Sequence, residues 1–272
     1  MMIMLRICCR PPITTRCRTF VAICLLFFCS LSDAQELQIL TENWPPISFG
    51  NDTKAEGMAV EVVKAIQAKT GNTQAIQVVP FARGYKALLD ESNVLLFTVG
   101  RSEEREKLMH LVGPVAISYI TLYTRKGNAA NLLRQGDAIR KLKVGAYRSS
   151  IFADTARKKG FFNLELAVSP LVIANMLMAK RFDLWVEGSV VVPSILKDIG
   201  YSSDDVEPVM VFDALELYLA FSAKTPASTI KIWEDALRAI KKDGSFAKIY
   251  HKWLPDEVPP MQVIHTSPPT QP

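Results

Sequence analysis

N-V-L-L-F-T-V at 93–99 is an apolar, β-rich run of strand length, and what precedes it decides the fold. Ala82 to Glu91 has helical character, Ala75 to Val79 is extended, and Met58 to Thr70 is amphipathic with Val62, Val63 and Ile66 on one face. Gly71 stops that helix, and before it L-Q-I-L-T at 37–41 alternates with period two. Residues 36–100 therefore read βαβαβ, the signature of an α/β lobe.

A second set follows. Val115 to Tyr123 is a long β-prone stretch. K-V-G-A-Y at 143–147, Leu164 to Val168 and Phe182 to Glu187 read as strands. Ser149 to Lys159, Leu171 to Arg181 and Val191 to Ile199 read as helices, the first with serines available to cap it. Val206 to Phe212 and Glu216 to Ala223 are two extended runs. Pro226 then opens a helix with Ile230, Trp233, Leu237 and Ile240 on one face, and Ser245 to Leu254 forms another. Residues 255–272 hold six prolines and read as a disordered tail. Extended connectors at 115–124 and 208–222 would carry the chain out of the first lobe and back, placing a ligand cleft between two lobes.

The first 34 residues differ from all of this. Arg6, Arg10, Arg16 and Arg18 precede F-V-A-I-C-L-L-F-F-C at 20–29, and Ser32-Asp33-Ala34 offers a small-x-small cleavage site. That is the pattern of a cleavable secretory signal peptide. Ten apolar residues are too few to span a bilayer, which takes about twenty. Bulky Phe28 before Cys29 argues against a lipoprotein site.

The 272-residue chain has a formal net charge of +5 and five cysteines, all five inside that leader (Cys8, Cys9, Cys17, Cys24 and Cys29). Cleavage after Ala34 would leave no thiol chemistry, no disulfide and no cysteine-ligated metal. The leader also holds four of the 32 basic and one of the 27 acidic residues, so the remainder carries +2. With no basic run interleaved with aromatics, nucleic acid is not an expected partner. His110, His251 and His265 form no H-x-x-x-H, and no G-x-S-x-G or phosphate loop is present.

Five segments, in order, carry a family resemblance. They are T-E-N-W-P-P-I-S-F at 41–49, G-M-A-V-E-V-V-K-A-I at 57–66, P-F-A-R-G-Y-K-A-L at 80–88, N-V-L-L-F-T-V-G-R-S-E-E-R-E-K-L at 93–108 with V-G-P-V at 112–115, and D-G-S-F-A-K-I-Y-H-K-W-L at 243–254. The chain resembles the periplasmic solute-binding proteins of family 3, the polar amino-acid uptake type. The resemblance implies an α/β, two-lobed type II-like clamp, each lobe a mixed sheet flanked by helices, with two extended hinge connectors. Residues 36–120 and 216–255 would form lobe 1, residues 121–215 lobe 2, and 256–272 the tail. It further implies a monomeric periplasmic protein without cofactor or metal, which closes on a small amino acid or carboxylate and presents it to an inner-membrane ABC permease. A receptor's sensing partner and a dehydratase-like enzyme are the alternatives on the same fold.

The resemblance also assigns ligand contacts. Arg105 occupies the position of the arginine that forks onto a ligand carboxylate, a geometry suited to guanidinium. By spacing alone Arg101 competes, and either could be a surface ion pair among Glu103, Glu104 and Glu106. Thr98 and Gly100 match head-group contacts, and Phe81 matches an apolar wall. Trp44 matches an aromatic that packs on the ligand, or else it is a core residue pinning the W-P-P turn. Arg83 is a second anion contact or a helix-surface charge. Ser149 and Ser150, at a helix start, suit a carboxylate or simply cap the helix. The family's ammonium-binding aspartate aligns with Gly188, with Glu187 one residue before it; Glu187 replaces the aspartate or faces away.

Overall fold

A computed structural model describes residues 36–51 and 54–269; the expected leader at 1–34 lies outside them. In chain order the strands are β1 (Gln38–Thr41), β2 (Phe49–Asn51), β3 (Lys54–Glu56), β4 (Ile76–Val78), β5 (Val94–Gly100), β6 (Met109–Arg125), β7 (Val144–Tyr147), β8 (Leu164–Ala167), β9 (Leu184–Gly188), β10 (Val206–Ser222) and β11 (Ile264–Thr266). The helices are α1 (Met58–Thr70), α2 (Phe81–Asp90), α3 (Glu103–Glu106), α4 (Ala129–Leu133), α5 (Ile151–Lys158), α6 (Pro170–Met178), α7 (Val192–Asp198), α8 (Ala227–Lys242) and α9 (Ser245–Trp253).

The fold is two-lobed α/β, and the pattern of the sequence explains why. β5 is buried along its whole length, as a central strand covered on both faces must be. It pairs in parallel with β1, which pairs in parallel with β4. α1 covers this sheet with Val62, Val63 and Ile66, and ends where the Gly71 N–H, at φ 74°, donates to the Gln67 carbonyl at 2.9 Å. In the second lobe β7 lies between β8 and β9, parallel to both.

β6 and β10 join the lobes. Each has 17 residues, and they run antiparallel from Val206↔Arg125 to Ser222↔Met109. β10 pairs with β5 through Leu217–Phe221, and β6 with β9 through Ile120–Tyr123. The strand order is β4-β1-β5-β10-β6-β9-β7-β8. The two extended runs expected at 206–212 and 216–223 are thus one strand. Register shifts at Pro208/Met210, Val211/Asp213 and Leu217/Leu219 break its alternation, which is why it reads as two pieces in the sequence.

The tail corrects a second expectation. Residues 255–269 are not disordered: Ile264–Thr266 pair with Leu111–Gly113 of β6. β9 leaves this stretch of the β6 edge open, and β11 covers it. Buried Lys241 of α8 ties the strap down, its Nζ donating to the carbonyls of Pro114 (2.7 Å), Pro260 (2.6 Å) and Gln262 (2.7 Å). Proline content signals the lack of a helix there, but it says nothing about an edge to dock on.

Candidate functional site

The loop after β1 brings the first side chains to the cleft. Ser48 Oγ donates to the Glu42 carbonyl at 2.9 Å, and the Trp44 N–H donates to the Ser48 carbonyl at 2.6 Å, so the W-P-P turn is closed on itself. Glu42 and Trp44 are consequently fixed and buried.

β5 supplies the next. Val99 pairs with Tyr218 and Phe97 with Leu219, leaving Thr98 as the extra residue of a β-bulge. Its φ is 68°, an uncommon value for a β-branched residue, and the bulge turns the side chain into the cleft. There Thr98 Oγ1 donates to the Phe97 carbonyl at 2.5 Å. At Gly100 the lobes meet closely: a Cβ would lie 2.6 Å from Leu215 and 3.0 Å from Ile151.

The single turn α3 then aims Arg105. Ser102 caps it, accepting from the Arg105 N–H at 3.3 Å. The guanidinium is buried: Nη1 donates to the Gly100 carbonyl at 2.8 Å, and its face lies 5.1 Å from the Tyr85 ring centre and 5.7 Å from that of Phe81. Its competitor Arg101 is the surface ion pair instead, bonded to Glu106 at 2.5 Å and Glu216 at 3.4 Å.

Glu42, Trp44, Phe81, Thr98, Gly100 and Arg105 of the first lobe face Tyr147, Ile151 and Phe152 of the second, with Leu215 and Leu217 of β10 between them. The rings interlock: Trp44 lies 6.0 Å from Phe152, and Tyr147 lies 5.6 Å from Phe152 and 6.3 Å from Phe81. The inner cavity measures about 10 Å³, room for roughly one water. Arg105, Ile151 and Leu215 also line an outer cleft of about 710 Å³ rich in charged residues, where Lys158 of α5 bonds Glu104 of α3 at 2.7 Å.

Two carboxyls are buried here. Burial pushes Glu42 up to about 8, opposed by the charge of Arg105 and by a hydrogen bond from the Tyr147 phenol. Burial also pushes Glu187 up to about 8, against hydrogen bonds from the Gly188 N–H (3.0 Å) and the Trp44 indole (3.3 Å). Burial raises the Tyr147 phenol well above its ordinary range.

Of the residues singled out from sequence, Arg105, Thr98, Gly100, Trp44 and Phe81 converge on the cavity. Trp44 is a core residue that closes the W-P-P turn and also walls the cavity. Glu187 turns toward Trp44 and lies behind it rather than on the cavity wall. Arg83 is exposed on α2 and does not reach the cavity. Ser149 is exposed at φ 57°. Ser150, not Ser149, caps α5, accepting from the Ala153 N–H at 3.2 Å and donating to the Tyr147 carbonyl at 2.6 Å. Both serines stand off the cavity wall because the cap takes up the Ser150 hydroxyl and the left-handed turn points Ser149 outward. Glu42 was missed. The sequence signal was a carboxylate beside the W-P-P turn, in a segment quoted only for its likeness.

His110 and His265 are not isolated from one another. Ser267 Oγ links His110 Nδ1 (3.1 Å) to His265 Nε2 (3.2 Å), and His265 Nδ1 meets Glu234 at 2.9 Å. None of these four lines the cleft. Among the described residues no cluster of His, Cys, Asp and Glu is suited to a metal ion, and no helix is long and apolar enough to cross a membrane.

Two α/β lobes joined by paired long strands, with a buried arginine between them, define the class of two-lobed solute-binding proteins. Residues 37–256 match the bacterial extracellular solute-binding proteins, family 3, and the chain belongs to that family. Among solved structures it is similar to a histidine kinase sensor domain resembling periplasmic binding proteins (TM-score 0.71, 21% identity, covering 84% of this chain and 100% of that one). It is also similar to an ancestral arginine-binding protein bound to arginine (TM-score 0.67, 22% identity, 80% and 98% covered). A third is the GluR0 ligand-binding core from Nostoc punctiforme in complex with glutamate (TM-score 0.68, 19% identity, 80% and 99% covered). At these identities the likeness is one of fold. No curated protein matches the chain by sequence.

Proposed function

We propose that this protein captures a small polar solute, an amino acid or related carboxylate, between its lobes in the periplasm and hands it to an ABC-type permease. The observation that carries this reading is the buried Arg105 guanidinium, held by Gly100 and two aromatic faces on the wall of a cavity shared by both lobes. A rigid guanidinium fork matches the two oxygens of a carboxylate. Thr98 and Gly100 stand beside it for the same head group. The chain works by binding, without chemistry on the solute. An inner cavity of about 10 Å³ admits a solute only when the lobes separate, so β6 near 118–123 and β10 near 212–217 act as the hinge. A solute that touches both lobes favours the closed state because it binds that state better. Sensing is the second reading, favoured by the likeness to a kinase sensor domain.

A thermal-shift screen of the protein against amino acids, small carboxylates and polyamines tests this. A solute at a hundred times its Kd adds about 2.7 kcal/mol to stability. Arg105→Ala should abolish the shift while the variant still unfolds cooperatively. An Arg105→Ala protein that binds as well as wild type rules out the assignment, and Arg105→Lys should not restore binding, since a point charge lacks the fork.

A further inference from the structure

Two histidines face each other where the C-terminal strap crosses the edge of β6. His110 stands on β6, and His265 stands on β11 in register with Val112. Their ring centres are 5.9 Å apart, and Ser267 Oγ touches both, 3.1 Å from His110 Nδ1 and 3.2 Å from His265 Nε2. A hydroxyl has one proton to donate, so between neutral rings Ser267 donates to one nitrogen and accepts from the other. Two imidazolium rings both turn an N–H toward that oxygen and carry like charges. Counter-charge is scarce. Glu234 of α8 lies 2.9 Å from His265 Nδ1, but Arg238 already shares it through bonds of 2.5 and 3.2 Å. Arg238, Lys241 and Lys242 of α8 also line a hollow of about 390 Å³ with Met261, Gln262 and Val263 of the same strap. Among the described residues, Glu234 is the one carboxylate bonded to any of these cations.

We propose that the strap is an acid-released clasp: when His110 and His265 are both protonated, their repulsion drives β11 off β6 and bares the Leu111–Gly113 edge. Histidine suits this role because its charge changes between about pH 5 and 8. Burial holds His110 below its ordinary 6.5, opposed by the Ala223 carbonyl at the end of β10 and reinforced by the charge of His265. A base held down in this way contributes docking stability that is intact above pH 6.5 and lost as pH falls below it. Lys241, pushed by burial to about 7, is charged in the acid range too, as are Arg238 and Lys242. Below pH 6 five cations on β6, β11 and α8 therefore surround the single carboxylate of Glu234. The clasp lies apart from the interlobe cavity, so it operates whatever the solute.

The test is hydrogen exchange of the full mature chain, read as protection factors at pH 7.5 and pH 5. Protection at residues 264–266 should fall about tenfold on acidification, the scale expected for two like charges 5.9 Å apart in partly solvated surroundings, while β5 keeps its protection. Salt at 0.5 M should shrink the fall by screening. His110→Gln and His265→Gln should each keep the strap protected at pH 5. His110→Lys, charged at both pH values, should lose strap protection already at pH 7.5. Melting temperatures establish that each variant is folded. Equal strap protection at the two pH values overturns the proposal. So does a loss at pH 5 that both glutamine variants share with wild type, since the titrating group then lies elsewhere. A loss that is as large in β5 as in the strap also overturns it, because acid then unfolds the lobe instead of opening a clasp.

Discussion

The indole Nε1 of Trp44 donates to Glu187 Oε1 at 3.3 Å, a bond between the loop after β1 in the first lobe and β9 in the second. Both residues are buried, so the bond ties the lobes together where no solvent competes. It also explains why Glu187 faces Trp44 rather than the cavity.

The stability of the protein should fall as pH rises from 5 to 9. Glu42 and Glu187 are each held up to about 8 by burial, against an ordinary 4.5. Between those values the unfolded chain has released a proton that the folded chain keeps. Their contribution is therefore complete below pH about 4.5 and lost as pH climbs through about 8. A displacement of this size corresponds to at most about 5 kcal/mol per carboxyl. Chemical denaturation across pH 5–9 should show the decline, and Glu187→Gln should flatten part of it. A stability profile that rises with pH in both proteins would contradict the burial of these groups.

Gly188→Ala should destabilise the chain by about 1–3 kcal/mol, since a methyl group there overlaps the Trp44 ring. The cost should shrink in a Trp44→Phe background, giving a coupling above about 0.5 kcal/mol in a double-mutant cycle. Additive effects would mean that Trp44 does not occupy that space.

Lys241→Met should release the C-terminal strap. It removes three hydrogen bonds to backbone carbonyls, at a cost of about 2–3 kcal/mol. Hydrogen exchange at residues 264–266 should accelerate far more than exchange in β5, because the strap holds an edge and not the sheet centre. Equal acceleration in both would show that Lys241 supports the whole lobe.

The Glu104–Lys158 pair spans the mouth of the outer cleft at 2.7 Å, with both side chains 59% exposed. Exposed pairs contribute little, so Lys158→Ala should change unfolding free energy by less than about 1 kcal/mol. Its effect should appear in how readily the lobes separate, as faster solute dissociation at low salt, with the difference fading at 0.5 M salt. A salt-independent change in dissociation would exclude an electrostatic latch.

The α/β layering is legible in the order of apolar and polar residues alone. Helix α1 is readable residue for residue because its face repeats at helical spacing and Gly71 ends it, and β5 is readable in place, though shifted at both ends, because an unbroken apolar run suits a strand buried on both sides. Arg105 was legible through its family motif, although spacing alone could not separate it from Arg101. Tertiary structure decided the rest. Whether Glu42 is buried, whether Glu187 faces the cavity, and whether Arg83 and Ser149 point outward depend on which loops converge from distant strands. Local periodicity carries no record of that convergence. The same holds for β11, whose three residues form a strand because β9 leaves part of the β6 edge unpaired and Lys241 supplies donors to fasten the chain there. Periodic burial is a local property, written in the order of side chains. The partner of a single polar group is a property of the folded whole.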